Sequence, residues 1–131
     1  MTHVDSPLLL ITDDDRDFRQ TLREVFEPRG FHTLLASDGE EALAIVQREP
    51  VHLLLLDMHM PRLTGVETIR RVKEFRSLLP CILISAQLDD AITRAAEEAH
   101  AYRMLPKLAG IRALTEAVRQ ALADVYQWRA V

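Results

Sequence analysis

Residues 51–56 read Val-His-Leu-Leu-Leu-Leu and run straight into Asp57, followed by Met58-His59-Met60-Pro61. A segment this apolar, closed by Pro61 and Gly65, reads as a strand buried on both faces of a parallel sheet. An acid at its carboxyl end stands at the sheet edge where open α/β folds keep their ligand sites. A second such run, Leu8-Leu9-Leu10-Ile11, ends in Asp13-Asp14-Asp15. Two buried strands that both finish in carboxylates point to one acidic pocket assembled from distant parts of the chain.

The rest of the chain alternates short apolar runs with helical spacing. Phe18, Leu22, Val25 and Phe26 predict a helix stopped by Pro28 and Gly30. A second strand is expected over Phe31 to Ala36, then a helix with Ala42, Leu43 and Val46 on one face. Ser37 and Glu40 have capping-box spacing ahead of that helix. Val66, Ile69, Val72 and Phe75 mark a third helix, Cys81 to Ile84 a fourth strand, and Asp89 to Ala99 an alanine-rich helix. Tyr102 to Leu105 predicts a fifth strand, and Ile111, Leu114, Val118, Ala121 and Leu122 a final amphipathic helix. Five β-α units with short links imply a doubly wound parallel sheet with helices on both faces. The flavodoxin-like order 2-1-3-4-5 fits, and its switch point falls between the strands ending in Asp13-Asp14 and Asp57.

Composition narrows the function classes. With 131 residues and a net charge of −4, the chain suits a single domain and carries no global basic field for nucleic acid or anionic membrane. No apolar run approaches the roughly 20 residues of a membrane span, and Met1 to Pro7 lacks a signal-peptide pattern. A cytoplasmic location is expected. The lone Cys81 reads as a small hydrophobe within a strand.

The acidic run has an ordinary reading: Asp15 or Asp17 capping the first helix. Asp13 and Asp14 exceed what a cap requires, because extra acids repel one another. Carboxylates converging at one edge need a positive partner, and oxygen donors favour Mg²⁺ over zinc. Asp57 then suits the role of nucleophile toward a phosphoryl group. Ser85, just past the fourth strand, can donate to a phosphoryl oxygen. Lys107 follows the fifth strand in a chain with 14 Arg but only 2 Lys, which suggests a position needing a compact point charge. An ordinary solvated lysine is the alternative. Arg70, Arg71, Lys73 and Arg76 read as the solvated face of the third helix.

In combination, Thr12-Asp13-Asp14-Asp15, Asp57-Met58-His59-Met60-Pro61 with Gly65, Ile84-Ser85-Ala86 and Lys107 resemble the receiver domain of two-component response regulators. The resemblance covers roughly residues 7–126 and implies a single receiver domain over 1–131. It implies that Asp57 accepts phosphate from a sensor histidine kinase or phosphotransfer protein. Asp13, Asp14 and Asp57 would hold Mg²⁺ together with the backbone carbonyl of His59. Ser85 would be the switch hydroxyl and Lys107 the phosphoryl contact. A downstream protein or an output domain outside this chain would read the switch, with room for a homodimer through the fourth helix, fifth strand and fifth helix. Such a module is a signalling phosphoacceptor rather than an enzyme, with at most slow self-phosphorylation and self-dephosphorylation. His59 and Gln87 stand where residues of the family affect phosphoryl lifetime.

The chain departs from the family pattern in three places. Leu108 follows the lysine where proline is usual, and Pro106 precedes it. Met104 replaces the switch aromatic; Tyr102, two residues earlier, is expected on the same strand face. His100 replaces a glycine and would be strained if the backbone there has positive φ; a different turn at the helix end is the reading preferred here. These departures support an alternative: a receiver-fold interaction module whose phosphorylation switch is weakened or absent. A Mg²⁺-dependent phosphatase is disfavoured because position 59 is His rather than a second acid. Dinucleotide binding lacks a Gly-rich turn after the first strand, and no helix-turn-helix segment follows the fifth unit.

Overall fold

The computed structural model describes residues 5–129. Five parallel strands, β1 (Leu8–Thr12), β2 (His32–Ala36), β3 (Leu53–Asp57), β4 (Cys81–Ser85) and β5 (Arg103–Pro106), form one sheet in the order β2-β1-β3-β4-β5. The expected order and the doubly wound architecture are therefore both present. Between the strands lie α1 (Arg16–Phe26), α2 (Gly39–Arg48), α3 (Gly65–Phe75) and α4 (Asp90–Glu98), with α5 (Ile111–Tyr126) closing the chain.

Strand alternation divides the core into two layers. Leu10, Leu54, Leu56, Cys81 and Leu83 face α2, α3 and α4, whereas Leu9, Ile11, Leu53, Leu55, Ile82 and Ile84 face α1 and α5. Burial on both faces is why β3 needs leucine at four successive positions.

Several local expectations are corrected. Asp38, not Ser37, caps α2: its carboxylate accepts from Glu41 N at 2.8 Å, and Ser37 N donates to Glu41 Oε1 at 3.1 Å. The box is thus displaced by one residue. Asp15 caps α1, accepting from Asp17 N and Phe18 N. His100 does take a positive φ of 64°, against the preferred reading; its N–H closes onto Glu97 O while Ala101 N–H reaches Ala96 O, a tight helix-ending turn. Tyr102 precedes β5 and packs toward α1 and α5, whereas Met104 packs toward α2–α4. The two do not share a face, because strand alternation does not extend back to residue 102. Lys73 and Arg76 are not simply solvated: Lys73 donates to Leu79 O at 2.7 Å and Arg76 to Val51 O at 2.7 Å, tying α3 to loops at the amino edge of the sheet. Phe75, assigned to the apolar face of α3, is 44% exposed.

The carboxyl end of α5 folds back. Gln127 adopts a left-handed φ of 57°, its N–H bonds Ala123 O, and Trp128 N–H bonds Leu122 O. Trp128 is thereby buried, its ring 5.2 Å from that of Phe31. Nearby, His52 Nδ1 accepts from Leu8 N at 2.9 Å, and Tyr126 O–H donates to His52 O at 2.7 Å.

Candidate phosphoacceptor site

Register alone aligns the expected residues. Thr12 pairs with Leu56, so Asp13 and Asp57 leave adjacent strands at the same level. Asp57 pairs with Ile84, Ile84 with Leu105 and Ser85 with Pro106, which puts Ser85 one residue and Lys107 two residues further along the same edge. Ligand oxygens of Asp13, Asp14 and Asp57 lie within 4.8 Å of one another. Lys107 Nζ is 3.1 Å from Asp13 Oδ2 and 3.8 Å from Asp57 Oδ1.

Asp13 is fixed by three backbone contacts. Its N–H donates to Ala36 O, its Oδ1 accepts from Asp15 N at 2.8 Å, and its carbonyl accepts from Arg19 at 2.6 Å. The other oxygen, Asp13 Oδ2, is buried with no well-aligned hydrogen bond and has the Lys107 ammonium 3.1 Å away. Asp57 is closed in by the β3–α3 loop, where Met58 N–H bonds Ile84 O and Gly65 N–H bonds Met58 O. A Cβ at Gly65 would fall 2.5 Å from Asp57 O and 2.5 Å from Leu83 Cδ1, so glycine is what lets α3 start this close to β3. The same loop is tied sideways by Arg62, whose guanidinium meets Asp38 at 2.5 Å.

Burial, with the charges of Asp13 and Asp14 adding to it, pushes Asp57 up to about 6 against the opposing pull of Lys107. Burial likewise raises Asp13, offset in part by the Asp15 N–H bond and Lys107. For Lys107 burial works against the charge, but Asp13, Asp57 and Asp15 outweigh it and hold the ammonium above its ordinary pKa. Three carboxylates outnumber one ammonium, so the cluster stays short of positive charge. A buried carboxylate oxygen without a hydrogen bond and an all-oxygen donor set fit a hard divalent cation such as Mg²⁺. Lys107 sits beside that oxygen without neutralising the cluster.

Ser85 is buried at the end of β4, but its hydroxyl donates to Gln87 O at 2.7 Å rather than toward Asp57. His59 follows Asp57 with its side chain exposed. The first turn of α1 contributes two contacts that motif reading did not single out. These are Arg19 on the Asp13 carbonyl and the Phe18 ring, whose centroid is 4.6 Å from Lys107 Nζ. Helical spacing from the acidic run was the available signal, since Phe18 and Arg19 lie one turn beyond it.

The response regulator receiver domain profile matches residues 9–119. The chain belongs to that family. Among curated proteins, the transcriptional regulatory protein CpxR of Klebsiella pneumoniae is 34% identical over 114 residues, 87% of this chain and 48% of the relative. The response regulator MprA of Mycobacterium leprae is 38% identical over 113 residues, 81% of this chain and 50% of the relative. The chain thus spans about half the length of these relatives. Among solved structures, a CheY-like receiver domain protein from Methanospirillum hungatei superposes with a TM-score of 0.90 at 22% identity, covering 93% of this chain and 98% of that one. The signal receiver domain of an HD domain-containing protein from Pseudomonas fluorescens gives 0.88 at 25% identity, covering 94% and 99%. The protein is a receiver domain of the two-component response regulators. Receiver domains are signalling phosphoacceptors that typically hold Mg²⁺ in an acidic pocket. No helix among the described residues is long and apolar enough to cross a membrane.

Proposed function

We propose that Asp57 of this receiver accepts a phosphoryl group from a phosphohistidine on a sensor histidine kinase or phosphotransfer protein. The observation that carries the reading is the meeting of Asp13, Asp14 and Asp57 within 4.8 Å, with Lys107 at the rim. A carboxylate oxygen of Asp57 attacks phosphorus, the P–N bond of the donor breaks, and its electron pair leaves on the imidazole nitrogen. An acyl phosphate results. When bound by Asp13, Asp14, Asp57 and the His59 carbonyl, Mg²⁺ supplies charge neutralisation on the phosphoryl oxygens. Lys107, beside Asp13 and Asp57 in the same pocket, offers those oxygens a further positive charge. Slow self-phosphorylation from a small donor such as acetyl phosphate breaks that donor's P–O bond, with acetate leaving. In slow self-hydrolysis water attacks phosphorus and the Asp57 carboxylate leaves, and His59 and Gln87 are the residues assigned to influence that water.

Ser85 completes the switch by leaving the Gln87 carbonyl and donating to the new phosphoryl oxygen. That movement biases α4, β5 and α5, the surface on which a downstream protein, an output domain or a second copy docks. A second reading has a specific basis. The Ser85 hydroxyl is already satisfied, and Met104 offers no bulky ring to follow it, which suits an interaction module with a weakened switch.

The test is intact-mass analysis after incubation with Mg²⁺ and acetyl phosphate. A single phosphate adduct on wild type, absent from Asp57→Asn, is expected. A folded wild-type protein that takes no adduct would favour the interaction module.

A further inference from the structure

The backbone that carries Lys107 holds it weakly. Lys107–Ala109 is a single 3₁₀ turn with no side-chain cap, followed by Gly110 at a φ of 93°. Leu108 is 94% exposed, and Ala109 and Gly110 are exposed as well. Against the turn lies a cavity of about 90 Å³ lined by Phe18, Leu22, Ile84, Leu105 and Leu114, so the loop is not densely packed on that side. A lysine stem on such a loop has several rotamers of similar energy, and Asp13 attracts its charge without specifying a direction.

The Phe18 ring supplies the missing constraint. It lies on the first turn of α1, where its own N–H is bound by the Asp15 cap. Its face meets Lys107 Nζ at 4.6 Å from the centroid, while the same ammonium lies 3.1 Å from Asp13 Oδ2 and 3.8 Å from Asp57 Oδ1. An ammonium over an aromatic face is attracted by the ring quadrupole, most strongly where water is kept out. We propose that Phe18 is a positioning residue: its ring holds the Lys107 ammonium against Asp13 and Asp57, doing through α1 what the exposed 107–110 loop does not. The proposal rests on the phosphoacceptor reading for its consequence, though not for its geometry.

Two measurements test it in the intact chain. The Lys107 ε-methylene resonances of wild type should be displaced upfield by the ring current. Phe18→Leu keeps an apolar side chain of similar bulk and should return them to ordinary lysine values. With Mg²⁺ and acetyl phosphate, Phe18→Leu should slow adduct formation on Asp57 by about three- to tenfold, the weight of one cation–π contact, and Phe18→Tyr should restore it. Unchanged lysine resonances in Phe18→Leu would overturn the proposal. So would a rate within twofold of wild type, or a loss of thermal stability that Phe18→Tyr recovers without recovering the rate. If wild type itself takes no phosphate, the functional reading fails, and the resonances alone still decide whether the ring positions the lysine.

Discussion

Replacing Asp57 by Asn should make the protein more stable, although the substitution removes the proposed phosphoacceptor. Asp57 is 5% exposed, and burial with two neighbouring acids carries its pKa from 3.8 to about 6. A carboxyl whose folded pKa lies above its unfolded value binds the extra proton in the folded state. Its ionised form therefore costs stability, fully above about pH 6, progressively less as pH falls, and not at all below about 3.8. The difference of about 2 units sets a ceiling of about 3 kcal/mol. Losing one of the two acids that face Lys107 takes back part of this, leaving an expected gain of about 1–3 kcal/mol. Urea unfolding of both proteins in a metal chelator reads the gain directly, as a shift in midpoint at constant slope. The gap should be widest near neutral pH and close toward about pH 4. Added Mg²⁺ should narrow it at neutral pH, because a ligand of the native wild type stabilises that state. An Asp57→Asn protein no more stable than wild type in chelator, or a gap that acid leaves unchanged, would refute this account of the pocket.

Other outcomes follow from the packing. His52 accepts from Leu8 N–H through Nδ1, and burial, with Arg76 adding, lowers its pKa from 6.5; the stability from its neutral form is present above pH 6.5 and lost as pH falls through the folded value. His52→Asn, which keeps a short acceptor, should therefore gain on wild type as pH is lowered below about 6.5 in parallel denaturation series. Gly65→Ala puts a methyl 2.5 Å from Asp57 O and should cost about 1–3 kcal/mol in urea titration. Trp128→Ala empties the contact with Phe31 and should cost about 3 kcal/mol or more by thermal unfolding.

The candidate site was legible in the sequence because its residues lie at strand ends, and strand ends can be read from where apolar runs stop. Asp13 and Asp57 come level once five parallel strands take the 2-1-3-4-5 order, and the sheet register sets Ser85 one residue and Lys107 two residues further along the same edge. What periodicity could not supply was where regularity ends. Tyr102 was placed by strand alternation although β5 begins after it, so its hydroxyl reaches Asp124 on α5 instead of sharing a face with Met104. Lys73 near the end of α3 and Arg76 at its C-cap lie off the apolar face, yet their long stems reach carbonyls on loops whose paths no local pattern encodes. The closure of Trp128 on Phe31 depends on a left-handed residue, Gln127, that is neither glycine nor asparagine and so gave no sign of a turn. Phe18 shows the same limit at the site: helix spacing marks it as apolar, but only the fold reveals a lysine over its ring.

The central claim is that acids from β1 and β3 surround one divalent cation and leave Asp57 to carry a phosphoryl group. A crystal structure with Mg²⁺ and beryllofluoride, a phosphoryl mimic, tests it most directly. The account predicts the mimic on an Asp57 oxygen, the cation bound by Asp13, Asp14, Asp57 and the His59 carbonyl, and Lys107 and Ser85 turned to the fluorides. A cation bound elsewhere, or an Asp57 that stays bare while Lys107 keeps its ion pair with Asp13, would contradict it.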